Sequence, residues 1–185
     1  MIATLPNLLT ASRGLAGPGI FVLVVVGGLD ELAFAVFLIA IVTDLIDGWL
    51  ARFLGATSDL GTILDPLADK LLIGGTWLTL GVMGWVPWWL AGAMLLRDGL
   101  VVFGWLLSRS RAHKPHLAGR LMVSVEGVAL PILLFRNEWM QVHWPSVGLL
   151  LGLISLLLGA ISGGVYVMRL LRRDDSTAPT PVLRA

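Results

Sequence analysis

The 185-residue chain contains no cysteine. This absence excludes disulfides, thiolate metal sites and cysteine nucleophiles, although it does not identify the cellular compartment. Charged residues are also scarce: they make up 14% of the chain, whereas soluble domains contain about a quarter. Hydrophobic residues account for 57% of the chain, and the mean hydropathy is +0.88. This composition predicts a membrane protein.

Long apolar runs are abundant in the chain. A membrane-spanning helix needs roughly 20 apolar residues, and in lipid each such run must be helical, because a lone strand leaves its amides unpaired. Six segments qualify: 13–29, 32–53, 66–84, 88–107, 117–135 and 146–170. We therefore predict an all-α polytopic membrane protein, a bundle of six transmembrane helices over residues 1–173. A flexible polar tail is predicted at 174–185.

The basic residues predict the orientation of this bundle. With six spans, both termini and the second and fourth loops share one side of the membrane. That side holds all but two of the 13 Lys and Arg residues, the exceptions being Arg136 and Arg97. Because Lys and Arg accumulate on the cytosolic side, both termini are predicted to be cytosolic. The formal net charge is only +1, which does not favour nucleic acid as a partner.

Four aspartates lie near the junction of the second and third segments. Asp44 and Asp47 are three residues apart, and Asp65 and Asp69 are four apart, so each pair shares one face of a helix. The short connection predicts an antiparallel hairpin in which the four carboxylates converge at the cytosolic rim. Solvated helix ends would be the plain structural alternative, but ionisable groups inside a span are costly and usually functional.

Four carboxylates so close together repel one another unless cations neutralise them. Arg52 and Lys70 can offset only part of this charge. The all-oxygen ligand set suits Mg²⁺ or Mn²⁺, and two such ions about 4 Å apart are a common arrangement for displacement at phosphorus. Gly48 and Gly61 lack side chains, so a bulky phosphate ester could approach the backbone there. The pattern therefore predicts a two-ion site with a cavity open to the cytosol.

Residues 44–69 read D-x2-D-G-x2-A-R-x8-G-x3-D-x3-D. This pattern resembles the signature of the CDP-alcohol phosphatidyltransferase family. The flanks "LPNLLTASR" at 5–13 and "LDPLADKLL" at 64–72 are similar too, with weaker similarity through "RDGLVV" at 97–102, so the resemblance covers most of the chain. The eight fixed positions of the pattern are Asp44, Asp47, Gly48, Ala51, Arg52, Gly61, Asp65 and Asp69.

The resemblance implies transfer of a phosphatidyl or similar group from a CDP-linked donor to an alcohol, with release of CMP. It also implies that Asp44, Asp47 and Asp65 ligate metal. Asp69 would contribute to the second ion and would also be the general base that accepts the proton of the acceptor hydroxyl. Contacts with the CDP part of the donor are implied for Asn7, Thr10, Gly48, Arg52, Ser58 and Gly61.

A second basic cluster lies on or near the fourth and fifth segments. Its cations would attract an acceptor that carries its own phosphate, although topology-setting charge explains its loop members equally well. Glycerol 3-phosphate is the commonest such acceptor among the small bacterial members that the chain resembles. The resemblance therefore implies a phosphatidylglycerophosphate synthase of a bacterial cytoplasmic membrane that uses CDP-diacylglycerol. The candidate acceptor-phosphate ligands are Arg97, Arg109, Arg111 and Arg120, with Lys114 nearby.

Two alternatives stay open at this point. A cardiolipin synthase would use phosphatidylglycerol, a phosphodiester that needs fewer cations. It is favoured by Met122, which replaces the second lysine of the G-K-x-K-T segment usual in phosphatidylglycerophosphate synthases. It is also favoured by "RDGLVVFGWLLSRSR" at 97–111, which resembles the fourth helix of cardiolipin synthases. An ion- or proton-coupled transporter would also place carboxylates in a span, but these gather at one rim rather than at the midplane.

Two further features of the apolar segments carry expectations. Glu126 is predicted either to face the cavity or to pair with Arg120. The small residues of "GAISGGV" at 159–165 suit close helix packing, either within the bundle or in a homodimer.

Overall fold

The computed structural model describes residues 4–54, 59–107, 117–135, 138–139 and 142–174, with side chains described in 10–46, 65–104, 117–135 and 143–165. The described chain is essentially all helical, which confirms the predicted all-α class. The helices are α1 (Thr4–Phe21), α2 (Asp30–Leu54), α3 (Asp59–Val82), α4 (Trp88–Leu107), α5 (Leu117–Phe135) and α6 (Trp144–Asp174). Except for Asp174, the predicted polar tail lies outside the described residues.

Two short elements were not predicted from the sequence. Val22–Val26 continue α1 as a π-helix, and Gly28, at φ +61°, ends it in a left-handed conformation that favours glycine. Between α5 and α6, β1 (Glu138–Trp139) pairs antiparallel with β2 (Val142–His143). Each strand has only two residues, so the pair is a turn-like connection and the architecture remains a helical bundle.

The helix bounds follow the apolar segments except at three polar ends. The predicted and observed bounds agree for α4 and α5 and differ by one or two residues for α2. In contrast, α1 begins nine residues and α3 seven residues before the predicted segment, and α6 ends four residues after it. Polar residues at these ends therefore continue the helix instead of forming loops, and Asp65 lies within α3.

The hydrophobic core lies at one end of the bundle. It combines the C-terminal part of α1, the N-terminal part of α2, and the facing parts of α3, α4 and α5, with Phe37, Trp77 and Leu130 fully buried. The aspartates lie toward the opposite ends of α2 and α3. An apolar end therefore supports the bundle, while its other end carries the charged groups.

Large apolar side chains also cover the outside of the bundle. Leu45, Leu100, Phe103, Val128 and Leu157 are all exposed. Large exposed apolar surfaces are rare on soluble monomers and mark sites of contact with proteins or membranes. Two helical stretches, Leu117–Phe135 and Trp144–Val165, are long and apolar enough to cross a membrane by length and composition. These observations indicate association with a membrane.

Helices α1 and α3 approach each other through two glycines. A Cβ added to Gly17 would collide with the carbonyl oxygen of Leu71, and one added to Gly75 would lie 2.8 Å from the carbonyl carbon of Gly17. Neither position has room for a side chain, because the obstruction is backbone. This contact sets the distance between the helix that carries Arg13 and the helix that carries Asp65 and Asp69.

We expect Gly17→Ala to separate α1 from α3 and to destabilise the protein by about 1–3 kcal/mol, the usual range for overpacking. The measurement is the midpoint of thermal unfolding in detergent. Gly19→Ala is the matched control, because an added Cβ there meets nothing within 4 Å. Equal midpoints for the two variants would contradict the close contact.

Candidate active site

Three predicted aspartates surround one buried arginine. Arg13 of α1 is 7% exposed, and its Nη1 atom pairs with Asp44 of α2. The same nitrogen lies 3.2 Å from Asp69 Oδ1, and Nη2 lies 3.6 Å from Asp65 Oδ1. The three carboxylates are each about half exposed. A buried cation therefore underlies a rim of carboxylates that remain accessible to a ligand.

Helix α1 joins the carboxylates of α2 and α3. Among the described residues, the most extensive contact of both α2 and α3 is with α1, not with each other as a simple hairpin would predict. Thr10 lies three residues before Arg13, so the two share a helix face. Its hydroxyl donates to Asp65 Oδ1 at 2.5 Å. Thr10, predicted to contact the CDP donor, thus lies next to a predicted metal ligand.

The donor chemistry of this cluster fits a divalent cation. Three carboxylates converge on a single cation, the guanidinium of Arg13, and one positive charge cannot balance three negative ones. Carboxylate oxygens are the ligands that Mg²⁺ and Mn²⁺ prefer. Within the part of the chain whose side chains are described, no three acidic or histidine side chains are grouped closely enough to hold one ion. Arg13 occupies the centre of the cluster instead.

Several predicted site residues lie beyond what the structure describes. Asn7 on α1, Asp47, Gly48 and Arg52 on α2, and Gly61 on α3 belong to described helices, but their side chains are outside the described set. Ser58, Arg109 and Arg111 lie outside the described residues. The roles implied for all of them stay predictions, as do the metal-binding roles of the described aspartates.

Arg97, a predicted acceptor ligand, lies within a buried network of charges. Its Nη2 atom donates to both carboxylate oxygens of Glu126, at 2.8 Å each. Its Nε and Nη2 atoms donate to Asp98 Oδ1 at 3.0 and 2.9 Å. Glu126 therefore pairs with Arg97 of α4, and not with Arg120, which is exposed on α5. A role of Arg97 or Arg120 in binding acceptor phosphate stays a prediction.

Lys70, which was expected to offset part of the charge of the four carboxylates, forms its ion pair with Asp98 of α4 rather than with one of the aspartates. Its Nζ atom donates to Asp98 Oδ1 at 2.7 Å. Successive residues of a helix point about 100° apart, so Lys70 faces α4 although Asp69, its neighbour in sequence, faces α1. Arg13, and not Lys70, is the cation in contact with the aspartates.

A cavity of about 290 Å³ adjoins the aspartate cluster between α1 and α2. Its walls are mostly apolar, and Arg13 and Asp44 provide charged groups on its lining. Such a cavity can receive an apolar chain beside a charged group. The lining residues are Ser12, Arg13, Ala16, Val36, Ile39, Ala40, Thr43 and Asp44.

The sequence pattern alone did not identify Arg13 as a site residue, because Arg13 is one of the cytosolic Lys and Arg residues that predict the orientation in the membrane. A signal was present, however: Asn7, Thr10 and Arg13 recur every three residues, which places them along one side of a helix. All three lie in "LPNLLTASR", the stretch that resembles the family's amino-terminal flank.

Comparison with known proteins confirms the resemblance. The family model described as CDP-alcohol phosphatidyltransferase matches residues 3–161. The "Probable phosphatidylglycerophosphate synthase" of Mycobacterium tuberculosis is 33% identical over 177 residues, which cover 92% of this chain and 83% of the relative. The "Probable cardiolipin synthase (CMP-forming)" of Drosophila melanogaster is 41% identical over 102 residues, covering 52% of this chain and 30% of the relative.

A third relative has a more explicit name. It is the "CDP-diacylglycerol--glycerol-3-phosphate 3-phosphatidyltransferase" of Cereibacter sphaeroides, which is 38% identical over 89 residues, covering 46% of this chain and 40% of the relative. The region matched by the family model contains Arg13 and all four aspartates.

Proposed function

Because the chain belongs to the CDP-alcohol phosphatidyltransferase family, we propose that it transfers the phosphatidyl group of CDP-diacylglycerol to glycerol 3-phosphate. The products are CMP and phosphatidylglycerophosphate. The observation that carries this proposal is the convergence of Asp44, Asp65 and Asp69, from two helices, around one buried cation. The relative from M. tuberculosis, which matches almost the whole chain, supports glycerol 3-phosphate as the acceptor.

The proposed enzyme is an integral protein of a bacterial cytoplasmic membrane with six transmembrane helices. Exposed apolar side chains on the helices, together with the two helical stretches suited to crossing a membrane, support this placement. The distribution of Lys and Arg supports cytosolic termini. The aspartate cluster would then open to the cytosol, where both glycerol 3-phosphate and the CDP group reside.

The proposed donor site combines the cluster with the adjacent cavity. The diphosphate of the donor would lie against the aspartates, and an acyl chain would extend along the apolar walls between α1 and α2. Asp44, Asp47, Asp65 and Asp69 would hold the two divalent ions. When bound, these ions supply positive charge that polarises the diphosphate and stabilises the departing CMP. Arg13 adds a further positive charge beside the same group.

Asp69 is the proposed general base. Its carboxylate is half exposed at the rim, where the acceptor hydroxyl would approach. Asp69 accepts the hydroxyl proton while the acceptor oxygen forms a bond to the phosphatidyl phosphorus. The bond from that phosphorus to the CMP oxygen breaks, and CMP leaves with the electron pair. A positioned base of this kind typically contributes a factor of about 10²–10⁴ to the rate.

Release of CMP from CDP-diacylglycerol tests the choice of acceptor. With Mg²⁺ or Mn²⁺ present, we expect glycerol 3-phosphate to support turnover at least about tenfold faster than phosphatidylglycerol. A tenfold difference in rate corresponds to about 1.4 kcal/mol in transition-state stabilisation. Assays with each acceptor alone and with neither provide the controls. Faster turnover with phosphatidylglycerol would reject the glycerol 3-phosphate proposal and favour a cardiolipin synthase, as the relative from D. melanogaster is named.

A further inference from the structure

Four buried charges connect α3, α4 and α5. Lys70 donates to Asp98 at 2.7 Å, Arg97 donates to the same oxygen, and Arg97 also donates to Glu126. Glu126 is 0% exposed, and the other three side chains are at most 19% exposed. The indole Nε1 of Trp77 donates to Glu126 Oε1 at 2.7 Å, and Arg97 Nη1 also donates to Ser155 of α6 at 3.4 Å. We call the four charged residues and Trp77 the buried network.

The buried network is formally neutral, with two cations and two anions. Such networks rarely add stability, because desolvation of the charges offsets their mutual attraction. Replacing a buried ion pair with apolar residues of similar volume is often neutral or stabilising. The contribution of the network is therefore better sought in the geometry that it imposes than in the stability of the fold.

The geometry that needs fixing is the rotation of α3 about its own axis. On one side, α3 meets α1 through Gly17 and Gly75, where backbone lies against backbone. The two glycines allow close approach but carry no side chains that could resist rotation or sliding at that contact. Trp77 of α3, bonded to Glu126 of α5, resists rotation nearer the apolar end of the helix, about two turns from Lys70. On the other side of α3, Lys70 is bonded to Asp98 of α4.

A rotation of α3 would move the carboxylates directly. Asp65 and Asp69 are on the same helix as Lys70, and Asp69 is its immediate neighbour in sequence. Both carboxylates face Arg13 while Lys70 faces α4. Because Asp69 is adjacent to Lys70 and Asp65 lies about one turn before it, fixing the direction of Lys70 also constrains the direction of the two aspartates.

We propose that the Lys70–Asp98 ion pair, braced by Arg97 and Glu126, positions Asp65 and Asp69 by fixing the rotation of α3. Lys70 and Asp98 are thus positioning residues that act on the reaction through Asp69. The catalytic consequence rests on the proposed function, whereas the geometric consequence does not depend on it.

The double variant Lys70→Met/Asp98→Leu tests the catalytic consequence. It removes one cation and one anion together, so Arg97 and Glu126 remain paired and no buried charge is left alone. We expect kcat for CMP release to fall about 10²-fold, the usual effect of misplacing a catalytic group by about 1 Å. The KM for CDP-diacylglycerol should rise as well, because Asp65 and Asp69 are also proposed to hold the ions that bind the donor diphosphate. Lys70→Arg, which keeps the ion pair, should retain most of kcat.

Thr79→Val is the matched control for these variants. Thr79 is also buried on α3, but its hydroxyl donates only within the helix, to the carbonyl of Gly75 at 2.8 Å. We expect its kcat and KM to equal those of the parent protein.

A disulfide between α1 and α3 tests the geometric consequence without any enzymatic readout. The chain has no cysteine, so Gly14→Cys/Ala68→Cys introduces the only thiols. A Cβ at Gly14 would lie 3.6 Å from the Cβ of Ala68, within the range of about 3.5–4.5 Å that a disulfide needs. We expect rapid crosslinking under mild oxidation in the parent background. In the Lys70→Met/Asp98→Leu background the crosslinking rate should be lower by about twofold or more, because the two thiols then meet less often in the geometry that a disulfide needs.

A lower kcat together with slower crosslinking would support the proposal. An unchanged kcat would overturn the proposal. A lower kcat with an undiminished crosslinking rate would also overturn it, because catalysis would then be impaired without movement of α3. If the parent protein released no CMP with any acceptor, the proposed function would fail. The crosslinking rates would still decide whether the ion pair fixes α3.

Discussion

Asp69→Asn should reduce kcat for CMP release by about 10²–10⁴-fold, the range typical of losing a general base. The substitution keeps the size of the side chain and removes its ability to accept a proton. Asp69 Oδ1 is 3.2 Å from Arg13 Nη1 and the carboxylate is half exposed, so it can meet an acceptor at the rim. The amide oxygen of the substituted side chain can still accept a hydrogen bond from Arg13, which should preserve the local packing.

Donor binding separates the role of Asp69 as a base from a role in holding the donor. We expect the affinity for CDP-diacylglycerol, measured by equilibrium binding with divalent ion present, to change less than about tenfold in Asp69→Asn, a difference of under about 1.4 kcal/mol. Asp30→Asn, the same substitution at the start of α2, should leave both quantities unchanged. If donor affinity fell as far as kcat, the base role would be wrong and Asp69 would act mainly as a ligand of the donor-bound ions.

The sequence predicted those features that depend on a single helix. The apolar runs supplied the bounds of α4 and α5, and the three- and four-residue spacings placed Asp44 and Asp69 on faces where carboxylates can gather. These predictions succeed because helical periodicity and hydrophobicity are local properties. The fixed spacing of the aspartate pattern also identified the family, which the match over residues 3–161 confirms.

What the sequence did not predict depends on how helices face one another. Lys70 is adjacent to Asp69 in the chain but pairs with Asp98 of α4, and Glu126 pairs with Arg97 rather than Arg120. Periodicity shows which residues share a face, but it does not show which helix that face meets. For the same reason Arg13, 31 residues before Asp44 in the chain, was assigned to topology although it lies at the centre of the site.

Removal of divalent ions should abolish CMP release while the helical fold persists. The four aspartates are too negative to hold a donor diphosphate without added cations. With excess chelator we therefore expect turnover at least about 10³-fold below that with Mg²⁺ or Mn²⁺, a loss of roughly 4 kcal/mol of transition-state stabilisation. Readdition of Mg²⁺ or Mn²⁺ should restore it. Full turnover in chelator would contradict a two-ion site at Asp44, Asp47, Asp65 and Asp69.

We expect Arg13 to be the reason why the fold persists in chelator. Its guanidinium lies among Asp44, Asp65 and Asp69 and supplies the one buried positive charge that the described cluster contains. Arg13→Met should therefore lower the thermal midpoint more in chelator than in saturating Mg²⁺, since bound ions can replace the lost charge but a chelated site has no substitute. Arg13→Lys, which keeps the charge, should show a smaller difference between the two conditions. Equal losses for Arg13→Met in chelator and in Mg²⁺ would mean that Arg13 stabilises α1 by packing alone. Arg13 and the divalent ions would then not serve the same set of carboxylates.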